Sequence, residues 1–207
     1  MLDKTGKIMV NFNVHDVQIA VKTDAVYEYI PLGYASKIAL QKQLASKDIY
    51  GDGKKIGKLF NDNGYALTLT LTAKDLELEK ALGFKEELAV GTADIEQLKS
   101  IKVDLFFETD YQGIDGVKKV KKIWLYQVEL TPADEEYSQN EDEINPSTVA
   151  YTGMVYGTEE QDSTGTTDYV DANGNTPLIF KLSLDSDEEG YDTFEQTVAV
   201  PTHKDAA

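Results

Sequence analysis

The most regular stretch of the chain is Tyr65-Ala66-Leu67-Thr68-Leu69-Thr70-Leu71-Thr72, in which leucine and threonine alternate with period two. That period predicts a strand with one buried face and one wetter face. Asn63-Gly64, just before it, reads as a turn. Directly after it, Ala73 to Gly83 is filled with good helix formers. Thr72 or Asp75 can cap its start and Gly83 can close its end, which predicts a helix of roughly two to three turns. Ile101 to Glu108 alternates and then turns apolar, and Val120 to Leu130 holds Ile123, Trp124, Tyr126 and Val128. These two runs, with Asp115-Gly116 between them, predict an antiparallel hairpin with Trp124 buried. Further strands are expected over Ser147–Tyr156 and Leu178–Leu184. Weaker ones are expected over His15–Val21, Val26–Ile30 and Thr193–Val200.

Three long connections remain. Asp48 to Asn63 is rich in glycine and charge, residues 131–146 are acidic and bounded by Pro132 and Pro146, and residues 157–177 are rich in Thr, Ser, Gly and Asp. Connections of that length in a compact domain carry function or lack order. The pattern predicts a mainly β protein: an antiparallel β-sandwich or partial barrel with one short α-helix and long loops, arranged as a single domain over 1–207 with flexible N-terminal and C-terminal segments.

Composition narrows the function. The 207 residues are 41% hydrophobic and include no cysteine, so disulfides and thiolate metal sites are excluded. No run reaches the ~18–20 apolar residues of a membrane helix, and Met1 to Val10 lacks the apolar core of a signal peptide; no anchor is expected. Residues 1–130 carry 19 acidic and 18 basic side chains, whereas 131–195 carry 17 acidic ones and only Lys181. All 20 basic residues are lysine. Without arginine forks and with a net charge of -17, tight DNA or RNA binding is not expected.

Candidate chemistry is sparse. His15 and His203 lie at opposite ends of the chain, and neither has a serine nucleophile in a recognisable motif, so His15 reads as an ordinary strand position. Asp171-Ala172-Asn173-Gly174-Asn175 starts like a calcium loop, but its sixth and twelfth positions are Thr176 and Leu182 rather than Gly and Glu. Gly51 to Lys58 lacks the spacing of a phosphate loop. Lys118, Lys119, Lys121 and Lys122 form a basic patch that reads as a salt-bridging face toward an acidic neighbouring copy. No metal, no cofactor and no catalytic set is expected, so the chain does not read as an enzyme.

Three segments stand out together. The first is Ser46-Lys47-Asp48-Ile49-Tyr50-Gly51-Asp52-Gly53, running on to Asn63-Gly64. The second is the alternating strand with the short helix closing on Ala81-Leu82-Gly83-Phe84. The third is Trp124-Leu125-Tyr126-Gln127-Val128, then Pro132-Ala133-Asp134-Glu135-Glu136-Tyr137 and Asp142-Glu143-Ile144-Asn145-Pro146, followed by a strand with threonine. In this order they resemble the major tail proteins of long-tailed phages and prophages of Gram-positive bacteria, with Gly51 where that family commonly has alanine. The resemblance covers about residues 25–157. It implies a structural virion protein that polymerises as stacked, hexameric rings into the tube for DNA ejection. Its partners would be copies of itself and other tail proteins (tail tip, tape measure, terminator). DNA would pass through without tight binding. Its place would be the virion tail, assembled in the host bacterial cytoplasm.

On that resemblance, Asp48 to Asn63 is expected to be an inter-ring arm that orders on stacking, with Asp48, Ile49, Tyr50, Lys54, Lys55, Lys58 and Phe60 as contact residues; the C-terminal segment is a second candidate for such an arm. Glu135, Glu136, Glu141, Asp142 and Glu143 are candidates for lumen charge, because a wall of one negative sign repels phosphate. The acidic block fits the outer surface equally well. Two other functions stay open: a tube protein of a contractile injection system, and a β-sandwich module that binds carbohydrate or protein.

Overall fold

The structure, a computed structural model, describes residues 9–24, 26–33, 35–97, 99–113, 116–134 and 148–204. Along the chain run β1 (Met9–Thr23), β2 (Val26–Pro31), β3 (Ala35–Gly51), β4 (Lys54–Leu71), α1 (Leu76–Ala81), β5 (Lys85–Glu87), β6 (Thr92–Asp94), β7 (Lys102–Gly113), β8 (Lys118–Leu130), β9 (Val149–Val155), β10 (Thr158–Glu159), β11 (Leu178–Ile179) and β12 (Lys181–Asp185). The main sheet is antiparallel throughout, in the order β2-β1-β7-β8-β9-β4-β3, with β12 added along the first half of β8. It does not close into a barrel: β2 and β3 are its edges. It curls nevertheless, because β1 and β3, near opposite ends of that order, line one cleft of about 550 Å³ together with Phe107 and Ile123.

Alternation divides the side chains of the central strands between two cores. On the inner face, Leu67, Leu69 and Leu71 of β4 pack with Val103, Leu105 and Phe107 of β7, Ile123 and Leu125 of β8, and Tyr151 and Val155 of β9. Leu78 and Leu82 of α1 cover this core, both fully buried. On the outer face, Phe106, Trp124 and Tyr126 form a second cluster with Tyr27 and Tyr29 of β2 and with Leu182, Phe194 and Val198 from the C-terminal part.

The helix follows its expected signals. Asp75 Oδ1 accepts the Leu78 N–H at 3.1 Å as the N-cap. At the other end Gly83 has φ 72°, with Phe84 N–H donating to Glu79 O and Gly83 N–H to Lys80 O, a Schellman closure that only a residue free to adopt positive φ makes without strain. No described helix is long and apolar enough to cross a membrane.

Three expectations are corrected. Asp48 to Asn63 is not a long connection: it is the distal part of one hairpin made by β3 and β4, with Gly51 paired to Lys54. Asp52 and Gly53, at φ 50° and 74°, make the two-residue turn, in which both residues take positive φ. Asn63-Gly64 is therefore not a turn; it lies inside β4, and Gly64 sits beside a bulge. Thr193–Val200 forms no strand. A 3₁₀ turn at Tyr191–Thr193 continues through further turns into an irregular segment whose polar contacts go to side chains rather than to a ladder. Asp115 and most of the acidic connection, 135–147, lie outside the described residues.

Candidate functional site

The part of the hairpin beyond the sheet is the feature that the packing leaves unexplained. β4 pairs with β9 only over Tyr65–Leu71. From Leu44 opposite Asp62 out to Gly51 opposite Lys54, β3 and β4 pair with each other alone among the described residues. An isolated two-stranded ribbon is marginal in water, yet this one also carries large apolar side chains into solvent. Phe60 is 71% exposed, Ile56 69%, Tyr50 66% and Leu44 64%. Leu59 and Ile49 are exposed as well.

The base of this arm is firmly built. The β3–β4 register shifts between Lys42 and Leu44, and Gly64 opposite has φ 83°. A Cβ on Gly64 would lie 2.1 Å from the Val155 carbonyl oxygen, so no larger residue fits. Lys42 Nζ sits 4.4 Å from the ring centres of both Tyr65 and Phe180 and 2.6 Å from Asp62 Oδ2. Lys42 and the Gly64 N–H together hold the Asp62 carboxyl below the ordinary aspartate range.

Every contact residue expected from the sequence lies on this arm. Asp48 stands directly opposite Lys58, and its carboxylate meets Lys55 Nζ at 2.7 Å. Lys58 Nζ is 4.9 Å from the centre of the Phe60 ring. Tyr50 and Lys54 flank the turn. Sequence reasoning missed Leu44, Ile56 and Leu59; reading 54–60 as a strand would have exposed the last two, and Leu44 needed β3 as its partner strand. The lumen-charge candidates Glu135, Glu136, Glu141, Asp142 and Glu143 lie outside the described residues.

The lysines of β8 are placed differently from expectation. Lys119 meets Asp187 at 2.6 Å, Lys121 meets Asp185 at 3.2 Å, and the buried Lys122 pairs with Glu195. They are neutralised by the chain's own acidic C-terminal part, which β12 brings alongside β8 with Lys121 and Asp185 in register. For Lys119, Lys121 and Lys122 the face expected to meet a neighbouring copy is thereby corrected to an internal seam, whereas Lys118 lies over Phe12, with Nζ 5.7 Å from the ring centre.

That seam continues as a strap over the outer core. Trp124 Nε1 donates to Phe194 O at 2.8 Å, Tyr126 Oη to Ala199 O at 2.6 Å, and the Val198 N–H to Tyr29 Oη at 3.1 Å. Burial pushes the Tyr126 hydroxyl far above its ordinary value, which keeps it a donor. Residues 194–199 are thus held across the outer core. Asp171, the first position of the calcium-like loop, spends one carboxylate oxygen on the N–H groups of Asn173 and Asn175, a local turn.

No family model matches the chain, and no curated protein matches it.

Proposed function

We propose that the chain is a structural subunit that polymerises with copies of itself, as rings stacked into a tube of the phage-tail kind. The observation that carries this reading is the arm: a preformed ribbon that presents Leu44, Tyr50, Ile56, Leu59 and Phe60 to solvent and that no other strand covers among the described residues. Exposed apolar surface of this kind marks an interaction site. A second copy is the occupant the charges favour. Residues 44–62 carry Lys47, Lys54, Lys55 and Lys58 against Asp48, Asp52 and Asp62, a net of +1, whereas residues 131–195 carry a net of -16, of which Lys119, Lys121 and Lys122 offset only the charges of Asp187, Asp185 and Glu195. An arm of one surface meeting a different surface on the next copy is a heterologous contact, which propagates.

The open sheet edges support the same reading. Among the described residues β2 and β3 each present an unpaired ladder side, and joining sheets between neighbours removes the liability of an open edge. In such a tube the acidic excess would repel DNA phosphates and leave the channel slippery.

Negative-stain electron microscopy over a concentration series, with and without a tail-tip initiator complex, tests the proposal. Rings or tubes with a central channel are the expected result. A chain that stays monomeric at every concentration and with the initiator would overturn it.

A further inference from the structure

His15 lies where the ladder between β1 and β7 is broken twice. The register shifts between Phe12 and Val14 and again between His15 and Gln18. Asn13 and Asp16, at these two steps, have φ of 63° and 50°. Bulges re-aim side chains. In an unbroken strand His15 and Asp16 would point to opposite faces. Here the second bulge turns the Asp16 carboxylate onto the neighbouring ring, with Oδ2 2.7 Å from His15 Nδ1. Glu108 stands directly opposite His15 on β7, and its Oε2 is 3.7 Å from the same nitrogen. One donor atom from each of the three residues falls within 4.8 Å of the others.

The opposite side of the ring is also held. His15 Nε2 lies 3.2 Å from Asp110 Oδ1, and Asn13 Nδ2 donates to Asp110 Oδ2 at 3.0 Å. The first bulge residue therefore fixes the carboxylate that orients the imidazole. A carboxylate behind the far nitrogen is the arrangement that sets tautomer and ring direction for metal-binding histidines. Glu108 is steadied in its turn: its other oxygen, Oε1, faces Lys122 Nζ at 3.7 Å.

We propose that His15 Nδ1, Asp16 and Glu108 bind a divalent first-row transition ion of the zinc class, with Asp110 as the residue that positions the ring. One imidazole nitrogen with two carboxylates suits zinc and its neighbours; calcium and magnesium take oxygen-only shells. Three protein ligands leave a fourth tetrahedral position for water or for a donor from another molecule. The site is reachable, since Asp16 is exposed at its rim and the His15 side chain is partly so. The ion would tie β1 to β7 across the twice-broken stretch.

The test is calorimetric titration of the chelator-treated full chain with zinc chloride, paired with the visible spectrum of the cobalt-loaded protein. One ion per chain and the absorption bands of four-coordinate cobalt are expected. His15→Ala abolishes both, and Glu108→Gln weakens affinity at least tenfold. Asp110→Asn weakens it about 10–100-fold while keeping one ion per chain, as loss of an orienting partner does. His203→Ala, which removes the other histidine, changes neither. Circular dichroism of metal-free variants checks folding; if His15→Ala does not fold, Asp16→Asn and Glu108→Gln carry the comparison. No binding by the parent chain overturns the proposal, as does equal binding by parent and ligand variants. These readouts do not depend on tube formation, so their outcome is separate from that of the assembly proposal.

Discussion

The Asp104 carboxylate, near the start of β7, accepts the backbone N–H of Gln127 at 2.8 Å, at a bulge in β8. Between Val103 and Leu105 of β7 there is one residue, whereas their partners Val128 and Leu125 on β8 are separated by two. The extra residue puts Gln127 at φ 52°, and Asp104 supplies the acceptor that the ladder no longer provides. At the same corner β8 changes neighbours: Leu125 pairs with Lys181 of β12, and Val128 with Val155 of β9. Both the outer strap and the inner core depend on this handover.

Asp104→Ala therefore leaves a half-buried amide without its acceptor, at a cost of about 1–3 kcal/mol measured by chemical denaturation. Asp104→Asn keeps an acceptor and costs less. Burial raises the Asp104 carboxyl above its ordinary value of 3.8, against the opposing pull of the Gln127 N–H and Lys22. The folded chain thus takes up this proton at higher pH than the unfolded one. Relative to Asp104→Asn, the parent protein gains stability as pH falls through the raised value toward 3.8, and the difference levels off below it. Unfolding curves of the two proteins over that interval should show this slope; the reverse slope would refute the assignment.

Gly64→Ala should destabilise by at least about 2 kcal/mol, since it combines a positive φ with a Cβ 2.1 Å from the Val155 carbonyl oxygen. Gly53→Ala is the control: its φ is also positive, but nothing lies within 4 Å of its Cβ, so the loss should be smaller. Thermal unfolding of the pair separates crowding from backbone strain.

Tyr126→Phe removes the donor to Ala199 O and should cost about 0.5–1.5 kcal/mol. Trp124→Ala empties a fully buried site and should cost about 3–5 kcal/mol. Both changes should speed protease cleavage within residues 186–200 relative to cleavage elsewhere, read by mass spectrometry of the fragments.

Replacing residues 46–60 with Asn-Gly joins Ala45 to Asn61, which already face each other across the hairpin. The shortened chain should keep its thermal midpoint within a few degrees, because the arm contributes no residue to either core. It should form no rings or tubes under the electron microscope. Phe60→Ser with Tyr50→Ser should reproduce the loss at full arm length.

The sequence reveals those elements in which each residue type agrees with its neighbours. Leu67 to Leu71 alternates cleanly, and Asp75 and Gly83 are the caps the helix uses. β3 was invisible because Ala35 to Gly51 is filled with Ala, Lys, Gln and Ser, which strands disfavour or tolerate; pairing along β4 overrides that preference. The strap is hidden for another reason. Its hydrogen bonds run from Trp124, Tyr126 and Tyr29 to backbone groups about 70 to 170 residues away, and no local pattern encodes them. His15 and Asp16 escaped notice as a pair because the alternation rule sends adjacent residues to opposite faces, and only two bulges bring the carboxylate round. Glu108 and Asp110, two apart on one strand, were the legible half of that cluster.

The arm leaves the body at a single bulge, and this gives it the mechanics of a lever. From Leu44 to Gly51 it runs about 25 Å at the usual strand rise. A rotation of about 10° at Gly64 would sweep the tip through roughly 4 Å, nearly the spacing between paired strands. The pitch and bending stiffness of any filament built through this arm would then be set at one glycine and the carbonyl of Val155 packed against it, far from the surfaces that touch.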